Sequence, residues 1–155
     1  MVVVGFDPGS ISFGVGILQR KNRMTHYIHS EEIKMTDKHF NDRMKQLWHR
    51  LEAIFASFDI EDAAIEEGYL GKNVSSMNLL AQVRGVALGF LIKKDLNLTF
   101  YSPRQVKMAV TGSGNAMKSQ MIKAMKILLQ LGNKELGSDE SDALAVAYCH
   151  LLRIG

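Results

Sequence analysis

Met1-Val2-Val3-Val4-Gly5-Phe6-Asp7-Pro8-Gly9-Ser10 reads as a strand that is apolar on both faces and runs out at an acid. Three successive valines and a phenylalanine suit a strand buried above and below, because β-branched side chains pack well on a pleated surface. Pro8 has no backbone donor and, with Gly9, ends the strand in a turn. Asp7 therefore stands where an apolar strand becomes a loop. In open α/β sheets the chemistry collects at the carboxyl ends of strands, and a carboxylate there is costly unless something pairs with it. The plainer reading is that Asp7 caps the turn, as Asp does before Pro-Gly.

At 155 residues the chain fits a single domain, 1–155, with room for a proper core. Hydrophobic residues at 46% and charged residues at 23% are ordinary for a soluble globular protein. One cysteine, Cys149, excludes an intrachain disulfide and suits a reducing compartment. No basic segment precedes an apolar one as in a signal peptide. The longest apolar stretch, Leu79 to Ile92, is broken by Gln82 and Arg84, so no membrane span is expected and the protein is expected to be cytoplasmic. Six of the 16 acids fall in three short clusters: Asp7; Glu66 and Glu67; Asp139, Glu140 and Asp142. The other ten face all 19 basic residues. A basic body with concentrated acidic spots fits a polyanion outside and cations at the spots, though an ordinary charge mixture fits as well.

Phe13–Leu18 and Thr25–Ile33 read as two further strands, close enough in sequence for antiparallel hairpins. Thr36 and Asp37 are N-cap candidates for a helix whose apolar positions are Phe40, Met44, Leu47, Trp48, Leu51, Phe55 and Phe58. Asp62-Ala63-Ala64-Ile65-Glu66-Glu67-Gly68-Tyr69 reads as a second short apolar strand ending in carboxylate. Side chains alternate along a strand, so only one of Glu66 and Glu67 can share a site with Asp7. Tyr69 to Asn73 then forms a loop beside it, offering a ring at Tyr69 and a cation at Lys72. Ser75 or Ser76 caps a helix reaching Lys94, apolar nearly all round, with Ala81, Gly85 and Gly89 as a smooth stripe. Such a helix must be covered, by the sheet and a neighbouring helix or by a second subunit; a dimer is favoured.

Leu96–Tyr101 reads as a fifth strand. Ser102-Pro103 starts a helix carrying Arg104 and Lys107, which stops at the glycine-rich Thr111–Gly114. Asn115 caps the next, with Met117, Met121 and Met125 inward and Lys118, Lys123 and Lys126 outward, closed by Gly132. These basic residues suit phosphate contacts or simply a solvated face. Ser138 caps the last helix. Its Asp139 and Asp142 suit the helix dipole, yet they also lie on one face at i and i+3.

Asp7, Glu66, Asp139 and Asp142 thus come from three separated elements. Oxygen-only ligands suit a hard cation, Mg²⁺ or Mn²⁺. Two such ions about 3.5–4 Å apart would activate water and stabilise the leaving oxygen of a phosphodiester. No Walker motif, cysteine cluster or Ser-His-Asp set is present. The order of elements gives a mixed five-stranded α/β sheet flanked by helices, which resembles the ribonuclease H-like fold.

Gly5-Phe6-Asp7-Pro8-Gly9-Ser10, Ala64-Ile65-Glu66, Ser102-Pro103-Arg104-Gln105-Val106-Lys107 and Asp139-Glu140-Ser141-Asp142-Ala143-Leu144-Ala145 resemble, in order and spacing, the motifs of the RuvC family of Holliday junction resolvases. The resemblance implies a homodimeric, Mg²⁺-dependent endonuclease that nicks two opposing strands of four-way junction DNA. It places Asp7, Glu66, Asp139 and Asp142 on the family's metal ligands, and Lys107 and Lys118 beside the scissile phosphate. Tyr69 falls where the family puts a ring that stacks on an unpaired base, and Lys72, Asn73 and Arg104 join it as expected DNA contacts. The implied chemistry is direct attack by activated water, with no covalent enzyme intermediate, leaving 5′-phosphate ends. A junction-binding branch-migration complex is an expected partner. Glu67 and Gly68 depart from the family pattern beside the glutamate. A ribonuclease H-like nuclease acting on other branched DNA or RNA–DNA hybrids is the main alternative. An actin-like kinase would need a second domain, and a silent DNA-binding module would not need the acids.

Overall fold

A computed structural model describes residues 1–68 and 73–155. Strands β1 (Val2–Pro8), β2 (Ser12–Lys21) and β3 (Met24–Lys34) form an antiparallel meander, followed by helix α1 (Phe40–Ser57). Then come β4 (Asp62–Glu66), α2 (Val74–Lys93), β5 (Leu98–Tyr101), α3 (Pro103–Thr111), α4 (Lys118–Leu128) and α5 (Ser138–Ile154). The sheet order is β3-β2-β1-β4-β5, with β1, β4 and β5 parallel. The mixed five-stranded sheet expected from the sequence is present.

Alternation along the strands sends every second residue to each face. Val4, Phe6, Phe13, Val15, Ile17, Ala63 and Ile65 pack with α1 and α2. Val3, Ala64, Tyr101 and Leu18 pack with α3, α4 and α5. On that second face β1 and β2 offer Gly5, Gly14 and Gly16 in place of side chains. A Cβ at Gly5 would collide with the Ala143 carbonyl and the Ala147 amide, and one at Gly14 with the Asp139 carbonyl. Only hydrogen at these positions lets α5 lie directly on the strands. Ala143 to Ala147 are fully buried as a result. Beyond them, His150 Nδ1 lies 2.9 Å from the Tyr101 hydroxyl and its Nε2 lies 3.3 Å from Asp62 Oδ2, a buried polar chain at the far end of the helix.

Several element ends depart from the sequence expectation. Asn22 and Arg23 both take positive φ, 51° and 64°, forming a two-residue hairpin of the primed type between β2 and β3. Helix α1 starts after His39, leaving Thr36 and Asp37 exposed outside it, and Ile54 rather than Phe55 or Phe58 is its buried residue in the last turns. Asn73, not Ser75 or Ser76, caps α2, its side chain accepting from the Ser76 amide at 3.2 Å. Strand β5 begins at Leu98 rather than Leu96. Met117, not Asn115, precedes α4, and it is 65% exposed rather than inward. That helix ends before Gln130, whose φ is 53°, two residues ahead of Gly132. Gly137 precedes α5, where the Glu140 carboxylate accepts from its amide and Ser138 is already helical. Ser102 caps α3 as expected, in a reciprocal pair with Gln105.

Candidate active site

Parallel pairing of β1 with β4 sets Phe6 opposite Ile65. Asp7 and Glu66 follow as the next residues on strands that run about 4.8 Å apart, and alternation turns both toward α5. Glu67 falls on the other parity, beyond the strand, and is exposed; its amide donates to the Tyr101 carbonyl at 2.7 Å. The register therefore selects Glu66 from the pair. The third element arrives because α5 lies on the glycines of β1 and β2, and there Ser12 Oγ, at the start of β2, donates to Asp139 Oδ2 at 2.5 Å.

The charges are coupled. Burial first, then the Asp142 and Asp139 carboxylates, push Asp7 up to about 7, with Lys118 opposing. Glu66 is likewise pushed up to about 7 by burial, Asp7 and Asp142, with Lys107 and Lys118 opposing. Burial and Asp139 raise Asp142 against Lys118 and Lys107. Four acids from β1, β4 and α5, with one lysine each from α3 and α4, share one electrostatic neighbourhood at the carboxyl end of the sheet. Lys118 Nζ stands 3.8 Å from Asp142 Oδ2 and donates to Ser138 Oγ at 3.1 Å.

Uncompensated repulsion among oxygen-only groups is what a hard divalent cation relieves, so the donor set fits such an ion. Among the described residues no three carboxylate, imidazole or thiol groups are already gathered to hold one.

Of the other residues singled out, Arg104 is exposed on α3 and its stem lies against Gly114 of the glycine-rich loop. Asn73 is engaged as the cap of α2. Tyr69 and Lys72 lie outside the described residues. Ser12 was not foreseen from the sequence; its position on the same strand parity as Gly14 and Gly16, facing the last helix, is the signal that could have found it.

The family model for crossover junction endodeoxyribonuclease RuvC matches residues 3–150. The chain belongs to the RuvC family. It is 37% identical over 156 residues to crossover junction endodeoxyribonuclease RuvC of Chlorobium phaeobacteroides, covering 100% of this chain and 83% of the relative. It is also 37% identical over 151 residues to that of Citrifermentans bemidjiense, covering 97% and 92%. The solved Thermus thermophilus RuvC in complex with a Holliday junction substrate superposes with a TM-score of 0.91 at 26% identity, covering 99% of this chain and 94% of that one. Membership in the RuvC family carries the ribonuclease H-like fold and implies use of a divalent metal.

Proposed function

We propose that this chain, acting as a single nuclease domain over residues 1–155, resolves four-way DNA junctions in recombination and repair by metal-dependent hydrolysis of opposed phosphodiesters. The observation that carries the reading is the coupled acid cluster of Asp7, Glu66, Asp139 and Asp142, flanked by Lys107 and Lys118, in a member of this family. The four carboxylates would hold two Mg²⁺ ions, with Mn²⁺ able to substitute. When bound, the ions would supply activated water and neutralise the leaving oxygen.

The protein's own part is placement. Asp7 and Glu66 are fixed by strand register, and Asp139 and Asp142 by the first turn of α5. Lys118, 76% exposed, keeps its ammonium free to swing from Asp142 to an entering phosphate, and Lys107 adds positive charge from α3. Both stabilise negative charge as it develops. Tyr69, Lys72, Asn73 and Arg104 are assigned to the opened junction, where an aromatic ring stacks on an unpaired base.

Two nicks need two sites, and α2 supports a homodimer. Val83, Ala87, Phe90 and Leu91 are buried, whereas Gly85, Leu88, Gly89 and Ile92 are exposed along an apolar face. Helix α2 is long and apolar enough to cross a membrane by composition alone, and its buried residues, Val83, Ala87, Phe90 and Leu91, join the core on one face of the sheet. A cytoplasmic location and a branch-migration partner complete the reading.

The test is cleavage of a four-way junction, a fork and an RNA–DNA hybrid in Mg²⁺. Paired nicks confined to the four-way junction are expected, with binding that weakens steeply as salt rises. Asp7→Asn should keep junction binding and lose cleavage by about 100-fold or more. Equal cleavage of the fork or hybrid, or an undiminished rate in Asp7→Asn, would refute the assignment.

A further inference from the structure

Two separate contacts hold the first turn of α5. The Glu140 carboxylate accepts from Ser30 Oγ on β3 at 2.8 Å and from the Gly137 amide at 3.0 Å. Ser30 is itself nearly buried and lies 3.1 Å from the Tyr27 hydroxyl. This clamp, with the glycine bed beneath Ala143 and Ala147, fixes where the helix lies. Neither depends on Ser12. The Ser12 hydroxyl engages the neighbouring acid, Asp139, through a 2.5 Å hydrogen bond to Oδ2. At that length the hydroxyl is a close donor held directly against one carboxylate oxygen. Because the backbone of Asp139 is already secured, this bond governs the side chain alone: its rotamer and the plane of its carboxylate.

We infer that Ser12 is a positioning residue that orients Asp139 as a metal ligand. The inference rests on the proposed reading of Asp139 as a ligand and adds the group that aims it. A free aspartate would sample several rotamers, and each would have to be given up when an ion binds. Pinning one oxygen from β2 removes that cost in advance. Partners that hydrogen-bond a ligating carboxylate in this way typically contribute ~10–100-fold in metal affinity. A β-strand position also tolerates threonine, which keeps the hydroxyl.

The experiment is Mn²⁺ titration of the full-length protein without DNA, following the spectrum of free Mn²⁺ by electron paramagnetic resonance. Wild type, Ser12→Ala, Ser12→Thr and Asp139→Asn are compared, with thermal unfolding of each in EDTA. Ser12→Ala should bind Mn²⁺ roughly 10-fold more weakly while unfolding within a degree or two of wild type, and Ser12→Thr should restore the affinity. Wild-type affinity in Ser12→Ala alongside weakened binding in Asp139→Asn would overturn the positioning role and leave the metal site standing. Unchanged binding in both would overturn the metal reading, and Ser12 with it. Failure of threonine to rescue would also count against the hydroxyl.

Discussion

Helices α5 and α2 are both apolar and both associated with glycines, yet the two glycine sets sit on opposite partners. Under α5 the glycines belong to the strands, Gly5, Gly14 and Gly16, and the helix fills the space they leave. On α2 they belong to the helix itself. A Cβ at Gly85 or Gly89 would meet nothing within 4 Å, and the groove beside them is lined by Phe40, Met44, Trp48 and Val86. The first contact is satisfied within one chain and sets the acids of α5 against β1 and β4. The second is left open among the described residues. Small residues therefore do not by themselves mark a contact made within the chain; the burial pattern does.

The comparison breaks most sharply with the same chemical change on each side. Gly16→Val puts branched bulk where the Leu144 amide and Cα already lie 2.5 and 2.7 Å from an added Cβ. The expected cost is about 3 kcal/mol or more, read by urea denaturation or as loss of soluble protein. Gly89→Leu should leave monomer stability equal or raised by up to ~1 kcal/mol, because leucine is the better helix former. The same variant should weaken dimerisation about 10-fold by sedimentation. Normal dimers from Gly89→Leu would move the subunit contact elsewhere.

A smaller effect separates the acid-bearing face from the other one. Folded-state values near 7 for Asp7 and Glu66 stand above the ordinary 3.8 and 4.5, so the folded chain retains protons that the unfolded chain has released. That contribution is whole below about pH 4 and is lost as pH climbs through about 7. In EDTA the protein should melt roughly 2–8 °C higher near pH 5 than near pH 8. Millimolar Mg²⁺ should narrow the gap by binding the ionised acids. An identical profile with and without Mg²⁺ would speak against ion binding there.

Much of this was legible in the sequence because it depended on period and punctuation. The valine run, the Pro8-Gly9 turn and the Ser102-Pro103 start are local signals, and each element they mark is present. Alternation narrows the choice to one of Glu66 and Glu67 and the family resemblance picks Glu66, but the physical reason is the β1–β4 register, a long-range fact. The polar turn expected over Arg20 to Arg23 is present but tighter, Asn22-Arg23 alone, because arginine in a left-handed conformation carries no glycine signature. Helix starts were misplaced where a backbone or a residue two or three positions away did the capping, as at Gly137 and Asn73. Ser12 was invisible for a related reason: its partner lies 127 positions along the chain.

The pairing of Phe6 with Ile65 also limits how such a centre can change. Because successive residues on β4 look to opposite sides, deleting or inserting one amino acid ahead of Glu66 would hand its place to a neighbour and swing the acid away from Asp7. A two-residue shift would restore parity but displace the carboxylate by about 6.6 Å. Length changes are therefore tolerable in the connections around β4 and prohibited within it, so any lineage altering this enzyme must do so by substitution along that strand.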